Sequence, residues 1–210
     1  SSFTDANGNS TNFDYDGTNS EKPTKVTFPD GSTQQVEYNQ FGQITRLIDE
    51  NGNATEYILD SVGRLITVRD PLGNETTYTY DAQLITSITD PLGNTERYEY
   101  DDAGRLIRQI NPLNGVTEFG YDALGRRISE TDPLGNTTTT TYRGDGLISA
   151  ITDAEGNTST FEYDLAGNQT AFIDEKGNRT EFEYDPLNRL ILSRDALGNE
   201  STFSYDMRSE

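Results

Sequence analysis

Residues 94–115 read NTERYEYDDAGRLIRQINPLNG, and the fold is decided within them. From Thr95 to Tyr100 the side chains alternate, with Tyr98 and Tyr100 on one face and Arg97 and Glu99 on the other. A period of two is the signature of a β-strand. Leu106 to Ile110 is a second short run of apolar and β-branched residues, a second strand. Between them stands Asp101-Asp102-Ala103-Gly104: an Asp able to bond the next backbone amides, two tolerant positions, then a Gly able to take positive φ. Such a turn sends the chain back antiparallel to itself.

The same unit recurs along the sequence. Tyr-Asp or a degenerate form of it falls near residues 16, 39, 60, 81, 101, 122, 143, 164, 185 and 206, mostly 21 apart. The fullest copies of the structural motif are Tyr80-Asp81, Tyr100-Asp101 with Gly104 and Arg105, Tyr121-Asp122 with Gly125 and Arg126, Tyr163-Asp164 with Gly167, and Tyr184-Asp185 with Arg189. A second marker, Gly-Asn or a variant, keeps step with the first. It closes turns such as Asp70-Pro71-Leu72-Gly73, Asp90-Pro91-Leu92-Gly93 and Asp132-Pro133-Leu134-Gly135, where Pro presets the first corner of a type I turn. Two markers sharing one period define a repeat of two strands and two turns.

The expected fold is therefore all-β: a repetitive antiparallel hairpin meander of about 20 strands, with no place for helix. Twist would make so long a sheet curl or spiral, and aromatic pairs such as Phe119/Tyr121, stacked one repeat apart, would supply most of the burial. Residues 1–29 read as an irregular first repeat, containing Gly17-Thr18-Asn19-Ser20, and residues 30–210 as one continuous array. The loop Asp81-Ala82-Gln83-Leu84 is one residue short, which predicts a local change of twist or register. The last unit stops just after Tyr205-Asp206 without a polar cap, as expected of an excerpt from a longer array or an assembling subunit.

Composition narrows the chemistry. Of 210 residues 31% are hydrophobic and 25% charged, and the chain has no His, Cys or Trp, so imidazole bases, thiol nucleophiles and His/Cys zinc sets are excluded. A formal charge of -20 repels phosphate backbones and anionic lipids, which argues against nucleic acid as a partner. No apolar run approaches the length of a membrane span, so membrane insertion is not expected, and Ser1-Ser2-Phe3-Thr4 does not read as a leader.

Carboxylates are the abundant reactive groups, and pairs such as Asp101/Asp102 or Glu181/Glu183 have the residue types of an acid–base couple. An active site is a single constellation, whereas these positions recur in every repeat, so no catalytic residue is assigned and the chain is read as not an enzyme. Calcium is the competing use of Asp/Asn-rich turns, but neither an EF-hand nor a glycine-rich calcium repeat is present, and turn capping is the more economical reading. No metal site and no cofactor are expected. Asn-x-Ser/Thr at Asn9, Asn53, Asn74, Asn136, Asn157, Asn168, Asn178 and Asn199 follows from a turn ending in Asn and a strand beginning with Thr or Ser. Arg64, Arg105, Arg126 and Arg189 recur after the turn, placed to pair with a neighbouring carboxylate.

Tyr100-Asp101-Asp102-Ala103-Gly104-Arg105-Leu106, with Asp90-Pro91-Leu92-Gly93-Asn94-Thr95, resembles the signature of the Rhs/YD-repeat family, and the resemblance extends over roughly residues 30–206. It implies a long β-sheet that spirals into a hollow shell, as in bacterial polymorphic toxins, insecticidal toxin complexes and teneurins. In bacterial members the shell encloses a toxic C-terminal domain. By that resemblance the expected function is a non-catalytic shell segment, enclosing a toxin or forming a surface structure. The expected location is secreted or cell-surface. Alternatives are a self-assembling extracellular fibre subunit or a carbohydrate-binding adhesin. Expected partners are other repeat segments or copies of the chain through sheet edges, an enclosed toxin domain, or surface glycans. The family's self-cleavage residues find no match in this sequence and are not carried over.

Overall fold

Asp-x-x-Gly turns at both ends of nearly every strand leave the chain one route, back along itself. A computed structural model describes residues 1–15 and 22–206, and Gly17 to Ser20 of the first repeat lie outside the described residues. The described chain forms twenty strands of three to seven residues, β1 (Ser2–Thr4) to β20 (Glu200–Thr202), in one antiparallel sheet, and no helix. Two compact units are distinguishable: residues 1–99 with 110–113, and residues 100–109 with 114–210.

In the first unit each strand pairs with the next, from β1 on β2 (Ser10–Asp14) to β9 (Leu84–Thr89) on β10 (Thr95–Tyr100). The second unit repeats this from β12 (Val116–Tyr121) on β13 (Arg127–Thr131) to β19 (Leu190–Arg194) on β20. The turns show why. In residues 90–94, the Asp90 amide donates to the Asn94 carbonyl (2.9 Å) and the Gly93 amide to the Asp90 carbonyl (3.0 Å), with Gly93 at φ 84°. A side chain at that φ pays steric strain, which is why Gly occupies the position, or Asn at Asn114 (φ 63°) and Asn188 (φ 60°).

A β-bulge recurs where the aromatic-bearing strand meets its partner. Gly120 pairs with Ser129 and Tyr121 with Arg127, so Ile128 is the extra residue. The same slip follows Glu37, Ile58, Thr79, Thr141, Glu162 and Glu183. Bulges raise local right-handed twist and re-aim side chains, here once per repeat.

Two expectations need correction. The short loop after Tyr80 changes the ladder only at the turn, not the register beyond it: Asp81 pairs with Leu84 and Ala82 takes φ 49°, while Thr77 pairs with Thr89, Thr89 with Thr95, and the bulge sits after Thr79 as elsewhere. Nor do aromatic ladders make a core. Ala171 is the one buried residue among those described, and the ring pair described, Phe161 with Phe172 at 5.3 Å, spans one hairpin rather than successive repeats. A single sheet leaves both faces half-wet, so cross-strand pairs matter more than burial. Arg69 bridges Glu56 and Glu75, both at 2.6 Å, across β6 (Ala54–Leu59), β7 (Leu65–Arg69) and β8 (Glu75–Asp81). Arg194 likewise bridges Glu181 (3.0 Å) and Glu200 (2.8 Å).

Candidate functional site

The strand ends form two rims, alike in backbone and different in chemistry. At one rim the turn's fifth residue is Asn, and the turn closes on itself. Asp70 Oδ1 accepts from the amides of Leu72 (2.8 Å) and Asn74 (2.9 Å), and its Oδ2 accepts from Asn74 Nδ2 (2.7 Å). Asp90 and Asp132, with Pro91, Gly93, Pro133 and Gly135 in their turns, repeat this on Asn94 and Asn136. The Asn side chain and backbone hold the carboxyls of Asp70 and Asp132 below the usual carboxylate range. Each carboxylate accepts three hydrogen bonds from its own turn, as a turn cap does. In the Asn-x-Ser/Thr sites of this rim, such as Asn74, Asn136 and Asn157, the amide nitrogen is committed to that Asp.

At the other rim the fifth residue is Arg, and the turn reaches outward. Asp101 Oδ1 accepts from the amides of Ala103 and Arg105, both at 3.0 Å, and Oδ2 from Arg105 Nε (2.7 Å) and Nη2 (2.6 Å). The Arg105 side chain, then its backbone amide, keeps the Asp101 carboxyl low. Thus fixed, the guanidinium lies 4.9 Å from the ring centre of Tyr121 in the next repeat, and Nη1 donates to the Asp122 carbonyl at 3.4 Å. Tyr121 Oη donates back to the Leu106 carbonyl at 2.8 Å. Asp, Arg and Tyr thereby form a latch from one hairpin to the next.

The latch recurs as Asp122-Arg126-Tyr142 (4.5 Å from cation to ring), Asp185-Arg189-Tyr205 (4.6 Å) and Asp60-Arg64-Tyr80 (4.8 Å), where Arg64 also reaches the Ala82 carbonyl. The Tyr-Asp dipeptide thus has two duties: Tyr receives the previous repeat's cation, and Asp holds its own. The spacing follows, since Arg stands four residues after its Asp, Tyr sixteen after that Arg, and the next Asp one further on. Gly104 (φ 77°), Gly125 (φ 80°) and Gly167 (φ 88°) shape these turns, and Gly125 lies under Arg105, where a Cβ would come 3.5 Å from Nη1.

Not every repeat builds the latch alike. Asp81 opens the short loop with Leu84 where Arg would stand. Asp164 holds Asn168 (2.9 Å), which reaches Asn188 (2.9 Å), while Tyr184 still bonds the Gln169 carbonyl (3.0 Å). Burial raises the Tyr184 and Tyr100 hydroxyls above their usual pKa. Three latch members escape sequence reasoning. Lys22 takes the Arg position over Tyr38 at 5.7 Å. Arg143 opens its turn where Asp is usual, pairs with Asp145 (2.9 Å) and still covers Tyr163 at 5.5 Å, because Leu147 holds the position where Arg would stand. Gln43 stands where Arg would, sixteen residues before Leu59, which stands where Tyr would; its Nε2 bonds the Gly63 carbonyl at 2.8 Å. For Gln43 the available signal was its joint departure with Leu59, sixteen residues on.

The periodic residues match known proteins. Residues 60–83, 83–116, 100–138, 142–178 and 165–200 match the RHS Repeat family. A 69-residue stretch is 36% identical to "Double-stranded DNA deaminase toxin A" of Burkholderia cenocepacia (strain H111), covering 33% of this chain and 5% of that protein. Among solved structures, that of TcdB2-TccC3-Cdc42 aligns with 90% of this chain at a TM-score of 0.71 and 18% identity. TcdB2-TccC3 without its hypervariable C-terminal region aligns with 98% at 0.64 and 17%, and the Photorhabdus luminescens Tc holotoxin pore with 89% at 0.56 and 16%. The chain spans 12% to 14% of those chains, and the likeness is one of fold. Motif, hairpin architecture and matched residues agree: the chain belongs to the RHS repeat family.

Proposed function

We propose that the chain is a stretch of wall, a non-catalytic segment of a secreted or surface-exposed RHS shell that surrounds a toxin domain. The observation that carries this is the latch: its carboxylates are spent on the arginine of their own turn and its cations on the neighbouring hairpin, repeat after repeat. No described group of three or more carboxylates is arranged to hold a metal ion. Periodic turn caps and cross-strand ion pairs account for the acidic residues without an active site. The toxin association of the matched relatives supports the reading, as does the family resemblance to shells that enclose a C-terminal toxin.

The test uses the polypeptide with its natural flanking sequence. Electron microscopy is expected to show hollow particles with internal density, and a C-terminal segment should resist protease until the particle is opened. Open fibres with an exposed C-terminal segment would favour the fibre reading instead. Binding to a glycan array by intact particles, with no enclosed segment, would favour the adhesin.

A further inference from the structure

One turn of the arginine rim departs from the chemistry of the others. In the other described five-residue turns of that rim an Asp or Asn comes first, and its side-chain oxygen accepts from the amides of the third and fifth residues, as Asp122 does from Leu124 (2.9 Å) and Arg126 (3.0 Å). The third residue is apolar in each: Phe41, Val62, Ala103, Leu124, Ala166 and Leu187. Residues 143–147 read Arg-Gly-Asp-Gly-Leu instead, on the same backbone, with the Arg143 amide on the Leu147 carbonyl (2.8 Å) and the Gly146 amide on the Arg143 carbonyl (3.1 Å). The latch accounts for Arg143, which covers Tyr163, and for Asp145, which pairs with Arg143. It does not account for Gly144. That glycine does not take positive φ, and a Cβ there would meet nothing within 4 Å, so the turn would accept a side chain as it accepts Asp102, Ala123 or Leu165 at the same place.

We propose that Arg143-Gly144-Asp145 is a docking tripeptide for a cell-surface receptor that reads it with two groups, a receptor-held divalent cation for the Asp145 carboxylate and an acidic pocket for the Arg143 guanidinium. Gly144, Asp145 and Gly146 stand exposed at the tip. Asp145 is lightly used for a turn acid: beside its ion pair it accepts one long bond, from the Leu147 amide at 3.3 Å. Its remaining lone pairs are open to a hard cation, which prefers carboxylate oxygens. The Arg143–Asp145 pair, 2.9 Å apart with side chains 36% and 46% exposed, stabilises little, so a receptor can take both partners from each other. A guanidinium suits a carboxylate pocket through paired N–H donors. Between the two charges Gly144 leaves the backbone bare, which lets a receptor surface come close. The base of the turn is held, since Arg126 Nη1 donates to the Arg143 carbonyl at 3.2 Å. A tip presented on a fixed hairpin loses less freedom on docking. The contact gives the wall an attachment point, and it stands or falls apart from enclosure of a toxin.

The test coats a surface with the full chain and counts attachment of cells that spread on immobilised Arg-Gly-Asp-Ser peptide. Attachment is expected in magnesium or manganese, is expected to disappear in EDTA, and should be displaced by the free peptide but not by Arg-Gly-Glu-Ser. Asp145→Glu keeps the charge and should lower attachment about tenfold. Gly144→Ala, which the turn has room for, should also lower it, and both variants should keep the circular dichroism and urea midpoint of the parent chain. A purely structural role for the turn predicts no such loss. Equal attachment to the parent chain and Asp145→Glu, attachment that survives EDTA, or no attachment to the parent chain would overturn the proposal.

Discussion

At the residue scale, tyrosine does two things at once in this array. Tyr121 offers its ring face to Arg105 and its hydroxyl to the Leu106 carbonyl, so the two contacts can be separated by mutation. Tyr121→Phe keeps the ring and loses the hydrogen bond, a cost of about 1 kcal/mol in urea unfolding. Arg105→Gln removes the cation and the ion pair with Asp101, and Tyr121→Leu removes the ring; a double-mutant cycle of these two changes should show a coupling of about 0.5–1 kcal/mol. Additive effects would mean that ring and cation are neighbours without mutual stabilisation. A second residue carries backbone strain. Ala82 holds φ 49° in a two-residue loop, a conformation that Gly adopts without penalty. Ala82→Gly is expected to stabilise the chain by about 1 kcal/mol, read as a higher urea midpoint with an unchanged m-value.

At the element scale the hairpin is the unit, and most of it was legible beforehand. Alternation in Thr95–Tyr100 and the Asp-x-x-Gly turns told strand from turn because both patterns are local. The bulge opposite Tyr121 was not legible, since it depends on pairing between Gly120 and Ser129 that no single strand encodes. The latch was half legible: Arg105 was read as pairing with a neighbouring carboxylate, which is Asp101 of its own turn, while its cover over Tyr121 crosses to another hairpin. Ring stacking was the wrong guess for the tyrosines because a fixed guanidinium competes for the same ring face. The natural exception supplies a test. Gln43 and Leu59 depart from the motif together, sixteen residues apart. Gln43→Arg alone loses the bond to the Gly63 carbonyl, and Leu59→Tyr alone gains no cation. Made together, the two should recover a latch and stabilise the chain by about 1 kcal/mol beyond the sum of the single changes, measured by urea unfolding.

At the scale of the whole molecule, stability is a sum of repeats joined to their neighbours, and the same acid cap closes turns on both rims. Its pH dependence can therefore be derived. Asn94 and Arg105 hold the Asp90 and Asp101 carboxyls below the usual carboxylate range, as Asn178 holds Asp174 and Asn199 holds Asp195. A lowered folded pKa means that the unfolded chain binds the proton first on acidification. The stabilisation is thus whole above about pH 4 and is lost as pH falls through the folded values. With no histidine in the chain, no side chain of ordinary pKa titrates between about pH 5 and 8. The melting temperature is expected to stay level from about pH 6 to 8 and to fall steeply below about pH 4, measured by calorimetry at constant ionic strength. Because the caps recur along the chain, many small losses arrive in one narrow window. A melting temperature that declined already at pH 6, or held to pH 2, would show that turn capping by aspartate does not set the stability of this sheet.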